Sequence, residues 1–155
     1  MDNFMPDVDD EQLLSLIDNF IQTASSRRSA LEGVIGLLSS NYKHFNWAGI
    51  YILEGEVLKL GPFKGMPSPH TTIPTDKGIC GASFKEKTTI IVPDVKSDSR
   101  YLACSTLAKS EIVVPIFKNG EVVAELDIDS NYPTAFDERD KKVLERVALR
   151  LSKLF

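Results

Sequence analysis

The chain has 155 residues, of which 43% are hydrophobic and 26% charged, and its formal net charge at pH 7 is −4. This length fits one domain, since compact domains run to roughly 100–200 residues. The acidic balance, without a basic stripe, gives nucleic-acid binding no electrostatic support. The apolar runs are far shorter than the ~18 residues that predict a membrane span, and the acidic N-terminus lacks the order of a secretory signal. We therefore expect a single cytoplasmic domain over residues 1–155, poorly ordered at 1–10.

Two cysteines, Cys80 and Cys104, are too few for a disulfide scaffold or a zinc cage by themselves. The two histidines, His44 and His70, have no partners at the spacing of metal ligands. The sequence therefore predicts no metal site and no bound cofactor, and it leaves two thiols to explain.

Helical spacing dominates the first third of the chain. A first stripe runs from Leu13 to Ile21, and a second follows at Leu31, Val34, Ile35 and Leu38. From Trp47 the pattern changes to β-branched and aromatic residues, which predicts strands at Trp47–Leu53 and Val57–Leu60.

The middle of the chain alternates short elements with long loops. Gly61–Pro74 is predicted as a loop, Gly78–Lys87 as a short helix, Thr89–Val92 as a strand and Pro93–Ser110 as mostly irregular. Loops of this length inside a small domain are usually functional.

The last third has the clearest pattern. Two strands, Glu111–Phe117 and Glu121–Asp129, flank the hairpin signal Asn119–Gly120, and an amphipathic helix then runs towards Phe155. Helices at both ends of a mostly antiparallel sheet predict an α+β domain, with those helices on one face and long loops closing a pocket on the other.

Hydrophobic burial selects a register for this hairpin, because a slip of one residue inverts every side chain. A two-residue loop would pair Lys118 with Glu121 and mix apolar and acidic side chains on both faces. A three-residue loop pairs Phe117 with Glu121 and gathers the apolar side chains on one face. We therefore predict the three-residue loop, with a shared apolar face of Ile112, Val114, Ile116, Val122, Ala124, Leu126 and Ile128.

The other face of the predicted hairpin carries acids, with Glu111 opposite Asp127 and Asp129 one pleat along. Such acids often face solvent. Here Val113, Phe117 and Val123 on the same strands favour partial cover, and hence a pocket. Crowded carboxylates in a pocket raise at least one pKa and attract a cation or share a proton.

Each remaining candidate has two interpretations. Cys104, near Arg100 and Lys109, is either an activated thiolate or a buried apolar residue. For Cys80, at the start of the short helix, the sequence favours a buried apolar residue. If the two thiols meet, one can resolve the sulfenic acid of the other as a disulfide. Trp47 and Tyr51 share a strand face and are either pocket walls or core aromatics.

Several ordered blocks of sequence resemble one family. The blocks are Asn46–Tyr51, Leu60–Gly65, Lys77–Gly81, Val92–Val95, Ala103–Cys104, Ser110–Pro115 and Leu126–Ser130. In this order they are similar to the free methionine-(R)-sulfoxide reductases, which are single GAF domains.

The resemblance implies reduction of free L-methionine (R)-sulfoxide, with thioredoxin as the external reductant. Cys104 matches the catalytic cysteine, and the backbone amides of Gly78–Gly81 are candidates for the substrate carboxylate. Further catalytic candidates are Cys80, Glu111 and Asp129; substrate-binding candidates are Trp47, Tyr51, Asp127 and, more weakly, Asp94.

One position departs from the family pattern, because His70 stands where many members carry a third cysteine. The resemblance then implies Cys80 as the resolving thiol, in a Cys80–Cys104 disulfide, or direct reduction by an external thiol. Two alternatives stay open: a non-catalytic GAF sensor of free methionine or a related ligand, and a family member that binds methionine without reducing its sulfoxide. A homodimer is also possible for a GAF domain.

Overall fold

The computed structural model describes residues 5–102 and 107–155. This part of the chain contains four α-helices and six strands. In order they are α1 (Asp10–Thr23), α2 (Arg27–Asn41), β1 (Trp47–Glu54), β2 (Val57–Lys64), β3 (Thr72–Pro74), α3 (Gly78–Glu86), β4 (Ile90–Val92), β5 (Ser110–Lys118), β6 (Glu121–Ser130) and α4 (Glu138–Leu151).

The strands form one sheet in the order β3-β2-β1-β6-β5-β4. Each neighbouring pair within it is antiparallel. Sequence neighbours β1–β2 and β5–β6 are hairpins, and β1 joins the two hairpins by pairing with β6. The predicted α+β class with an antiparallel sheet is confirmed, and β1 and β6 lie at the centre of the sheet.

Helices α1, α2 and α4 cover one face of the sheet and bury the main hydrophobic core. Among the described residues, no helix is long and apolar enough to cross a membrane. Both amphipathic stripes predicted in the first third point into this core. Its strand side chains are Ile112, Val114, Ile116, Ala124, Leu126 and Ile128, together with Ala48 and Ile50 of β1.

Side-chain caps fix the ends of the outer helices. The Asp9 side chain caps the start of α1 and accepts a hydrogen bond from the Gln12 amide. The Asp137 side chain caps the start of α4 and accepts from the Arg139 and Asp140 amides. In the segment expected to be poorly ordered, 1–10, residues 1–4 lie outside the described residues, and Asp7 and Val8 form hydrogen bonds with Asn41. The amide of Val8, for example, donates to Asn41 Oδ1 at 2.8 Å.

The turn of the β5–β6 hairpin is shorter than we predicted from the sequence. It contains only Asn119 and Gly120, both with positive φ (52° and 80°), and Lys118 pairs with Glu121. The predicted three-residue loop, with Phe117 opposite Glu121, is wrong. A two-residue turn with two left-handed residues matches the twist of the flanking strands, and Asn-Gly is well suited to it.

A bulge reconciles this turn with the hydrophobic pattern. The register shifts between Ile116 and Phe117, with Val123 as the extra residue on β6. On the side of the bulge away from the turn, Glu111 lies opposite Asp129 rather than opposite Asp127. From Ile116 to Glu111 the pairing is thus displaced by two residues from the prediction, and a shift of two keeps these side chains on their predicted face. At the turn, where Phe117 pairs with Val122, the displacement is one residue.

We expect alanine substitutions at two glycines to change stability in opposite directions. Gly120→Ala should lower the free energy of unfolding by roughly 1–2 kcal/mol, because alanine is strained in the left-handed region. Gly36→Ala in α2 should raise it by about 0.5–1 kcal/mol, since the new Cβ would meet only Lys64 Cε, at 3.9 Å. Urea unfolding of both variants and the wild type measures this. Equal effects of the two substitutions would contradict the turn geometry.

Candidate active site

Four acidic side chains lie on the sheet face opposite the three outer helices. They are Glu111 of β5 and Glu125, Asp127 and Asp129 of β6, and none is more than 4% exposed. The strand pairing fixes their arrangement, because Glu111 lies opposite Asp129 and Asp127 lies opposite Val113. The predicted acidic face therefore exists, and it is buried rather than solvated.

Helix α3 covers this face and brings Cys80 to the acids. The Cys80 thiol donates to Asp127 Oδ2, with 3.6 Å between the sulfur and the oxygen. One ligand atom each of Cys80, Glu111 and Asp127 lies within 4.8 Å of the other two. Of the apolar side chains that favoured cover of this face by the long loops, Phe117 is 38% exposed and Val123 packs on the helix side.

Burial dominates the electrostatics of the cluster. It raises the pKa of Glu125 well above its ordinary value, and the nearby Asp127 charge raises it further. Burial likewise raises the pKa of Asp127, although hydrogen bonding to Glu111 and Cys80 opposes it. The pKa of Asp129 is also raised well above its ordinary value, by burial and then by the Asp127 charge. The cluster therefore favours bound protons, and it would be stabilised by a bound cation.

Glu125 is the member of the cluster that the sequence analysis missed. Cys80 and Ser83 are close enough to lower its pKa slightly, but neither makes a well-formed hydrogen bond to it within the described residues. The Ser83 hydroxyl instead donates to the Thr88 carbonyl at 2.8 Å. The signal was present in the sequence, because Glu125 alternates with Asp127 and Asp129 along one strand.

Two aromatic side chains of β1 lie beside the acids. Trp47 pairs with Asp129 and Tyr51 with Glu125. Both aromatics are buried, and both bind the β2–β3 loop: Trp47 Nε1 donates to the Met66 carbonyl at 2.9 Å, and the Tyr51 hydroxyl donates to the His70 carbonyl at 2.7 Å. These bonds hold the loop over the acidic face. The contact of His70 with Tyr51 is made by the backbone carbonyl of His70.

Close packing around Gly49 sets the position of the indole. Gly49 lies between Trp47 and Tyr51 in β1, opposite Asp127. A Cβ at this position would lie 2.5 Å from Trp47 Cη2. The indole also stacks on Phe63, with 5.7 Å between ring centroids. The absence of a side chain at Gly49 therefore lets Trp47 lie flat along the strand.

Among the remaining predicted site residues, Asp94 is not part of this buried cluster. Asp94 is exposed, and its carboxylate accepts hydrogen bonds from the Lys96 amide and the Ser97 hydroxyl. It thus caps a short 3-10 turn, and its role in substrate binding stays a prediction. Cys104 lies outside the described residues. Gly78, with φ of 72°, begins α3 without a side-chain cap from Lys77.

Several known proteins are similar to this chain in sequence and in fold. The free methionine-R-sulfoxide reductase of Escherichia coli is 32% identical over 126 residues, covering 81% of this chain and 76% of that relative. The fRMsr of Staphylococcus aureus, in its reduced form, superposes with a TM-score of 0.90 at 36% identity, covering 99% of both chains. The free methionine-R-sulfoxide reductase of Neisseria meningitidis, in complex with its substrate, has a TM-score of 0.89 at 32% identity, covering 94% of this chain and 87% of that one.

Residues 26–154 match the GAF domain family, and the chain belongs to it. The antiparallel sheet, with helices on one face and a site on the other, is the fold of that class. Within the class, the identity and coverage of the relatives place the chain in the free methionine-R-sulfoxide reductase family. The resemblance inferred from the ordered sequence blocks is thereby confirmed.

Substituting Gly49 by alanine should displace Trp47. The new methyl group would overlap the indole, which we expect to cost about 1–3 kcal/mol of stability, as overpacking does in cores. Trp47 is the only tryptophan in the chain, so its fluorescence reports the change directly. We expect an altered emission maximum in Gly49→Ala and an unchanged one in Gly36→Ala. An unaltered spectrum with wild-type stability in Gly49→Ala would contradict the packing.

The raised pKa of Glu125 predicts a pH dependence of stability. Between the ordinary glutamate pKa of 4.5 and the higher pKa of the folded state, the folded protein keeps a proton that the unfolded chain has lost. The free energy of unfolding should therefore fall as pH rises through this window, by up to about 1.4 kcal/mol per pH unit for one proton.

Urea unfolding at a series of pH values above 4.5 measures this slope. We expect Glu125→Gln to make the slope shallower, because the amide cannot ionise. Glu121→Gln, at the exposed end of the same strand, is the matched control and should keep the wild-type slope. An identical slope in Glu125→Gln would show that this carboxyl does not hold the proton.

Proposed function

We propose that this protein reduces free L-methionine (R)-sulfoxide to L-methionine. The observation that carries the proposal is the buried group of Cys80, Glu111, Asp127 and Asp129 beside Trp47, in a chain of the reductase family. The E. coli relative and the substrate-bound N. meningitidis relative bear the name of this activity.

The charges and shapes of the site suit each part of a free amino acid. A carboxylate of the acidic cluster binds the substrate ammonium, which supplies the positive charge that the buried acids lack. The methyl–sulfur end packs against Trp47 and Tyr51. The backbone amides at the start of α3 receive the substrate carboxylate, because helix N-termini favour anions. A peptide-bound residue has neither free terminus, so the site selects the free amino acid.

The first chemical step is transfer of oxygen from the sulfoxide to Cys104. The Cys104 thiolate attacks the sulfoxide sulfur, and a protonated carboxyl of the cluster donates its proton to the sulfoxide oxygen. The sulfur–oxygen bond then breaks as the protonated oxygen passes to the Cys104 sulfur, the sulfur–sulfur bond formed in the attack breaks, and methionine leaves. Cys104 becomes a sulfenic acid, so the sulfoxide gains the two electrons that the cysteine loses. The raised pKa of Asp129 supports a proton donor at this position.

The second step regenerates the enzyme. Cys80 attacks the sulfenic acid, water leaves, and a Cys80–Cys104 disulfide forms, which a thioredoxin dithiol then reduces. Two observations support the encounter. Cys80 lies at the acidic cluster, and Leu102 packs on the start of α3, with Cδ1 2.9 Å from where a Gly78 Cβ would stand. Cys104 follows Leu102 by two residues in the sequence.

Thioredoxin-coupled NADPH consumption tests the proposal with the free R and S sulfoxides. We expect turnover of the R form only, and a rate at background in Cys104→Ser, because the nucleophile is lost. Cys80→Ser should release one equivalent of methionine per chain and then stop. No turnover of the R form, or full activity in Cys104→Ser, would contradict the reductase.

Two further outcomes separate the alternatives. Full thioredoxin-dependent activity in Cys80→Ser would remove Cys80 as the resolving thiol and favour direct reduction by an external thiol. Tight binding of free methionine without any turnover of the sulfoxide would favour a non-catalytic GAF binding domain. Asp94→Asn in the same assay reports whether this exposed acid takes part in binding.

A further inference from the structure

The cysteine–carboxylate trio, Cys80, Glu111 and Asp127, has the composition of a metal site. Its three ligand atoms lie within 4.8 Å of one another, and all three side chains are buried. The set combines one thiolate ligand, which suits borderline and soft cations, with two carboxylates, which suit hard ones. Zn²⁺ accepts both kinds of donor in a tetrahedral arrangement.

The separation of two of these atoms fits neighbouring ligands of one ion. Zinc binds a thiolate at about 2.3 Å and a carboxylate oxygen at about 2.0–2.2 Å, so tetrahedral ligands of these types stand roughly 3.5 Å apart. Cys80 Sγ and Asp127 Oδ2 are 3.6 Å apart. An ion could therefore bind both atoms with little movement of α3 or β6.

Unpaired oxygens around the trio provide a second, independent indication. Asp127 Oδ1, both carboxyl oxygens of Asp129 and both of Glu125 are buried without a hydrogen-bond partner in the described part of the chain. The ion pairs between described residues include none of these three acids. Buried carboxyl oxygens are costly unless a partner or a cation satisfies them.

We propose that the reduced protein binds one Zn²⁺ ion, or another thiophilic divalent cation, through Cys80 Sγ, Glu111 and Asp127. Binding converts the Cys80 thiol to a thiolate and releases its proton to solvent. The ion is a reversible occupant of the site rather than a cofactor of the reaction. Because the same acids bind the substrate ammonium in the proposed function, metal and substrate exclude each other, and that clause alone rests on the proposed function.

Metal binding can be measured without any activity assay. Untagged, fully reduced protein is titrated with Zn²⁺ alone, in competition with a chromogenic chelator. We expect one ion per chain, and a loss of affinity in Cys80→Ser and Asp127→Asn beyond the roughly 10–100-fold typical of an outer-shell partner. Glu86→Gln removes an exposed carboxylate from α3 and should bind like the wild type.

Cobalt substitution shows in the wild-type protein that a thiolate binds the metal, and the two cysteine variants show which thiolate it is. Co²⁺ should give a thiolate-to-metal charge-transfer band that persists in Cys104→Ser and vanishes in Cys80→Ser. No stoichiometric binding, no such band, or a band that depends on Cys104 alone would overturn the proposal.

The activity arm keeps the two proposals apart. Zn²⁺ should inhibit turnover of the R sulfoxide, excess substrate should relieve the inhibition, and a chelator should restore the rate. Stoichiometric Zn²⁺ binding in a protein without reductase activity would leave the metal site standing and remove the proposed function. Zn²⁺ binding that leaves the rate unchanged would overturn the claim of mutual exclusion.

Discussion

Four carboxyl groups lie on one buried face of the sheet because β5 and β6 pair in a register that places Glu111 opposite Asp129 and Val113 opposite Asp127. A slip of one residue would send these acids into the hydrophobic core and the core aliphatics to the site. The hydrophobic face of the hairpin therefore fixes the acidic face. The bulge at Ile116 and the left-handed turn at Gly120 set the register from the other end.

The acidic face is unfavourable for the fold by itself. Taking carboxyl groups out of water without partners raises their pKa values and costs stability, as the shifts at Glu125 and Asp129 indicate. On the other face of the sheet, burial of the apolar side chains of the three outer helices offsets that cost. Functional sites commonly carry this kind of local conflict, where a ligand supplies the missing interaction.

Cover over the acids comes from elements of different kinds. Helix α3 carries Cys80 to Asp127, while Trp47 and Tyr51 hold the β2–β3 loop through hydrogen bonds to its carbonyls. These contacts couple the position of the loop to the strand next to the acids. A ligand that contacts the aromatic side chains would therefore also affect the loop above them.

Much of this architecture follows from sequence pattern. The alternation along β5 and β6 predicts both faces correctly, since six of the seven predicted apolar side chains lie in the core. The register itself was wrong by two residues, because burial constrains the parity of the pairing and not its absolute position. The exception among the seven, Val122, lies between the bulge and the turn. No local sequence pattern marks the position of this bulge.

The site was less predictable than the fold. Glu125 carries the same alternation as Asp127 and Asp129, yet nothing local to it signals that α3 will cover it. The contact of Cys80 with Asp127 joins residues 47 positions apart, and only the packing of α3 on the sheet brings them together. Asp94 is a substrate-binding candidate by its place in the block Val92–Val95, and in the structure its carboxylate caps an exposed turn.

In the proposed function, the buried acids recognise the positive charge of a free amino acid. Comparing kcat/KM for free L-methionine (R)-sulfoxide and its N-acetyl derivative tests this most directly, since acetylation removes the ammonium and keeps the sulfoxide. The account predicts a fall of about 100-fold or more, because leaving a buried charge unpaired costs roughly 3–5 kcal/mol. Equal efficiency with the two substrates would contradict it.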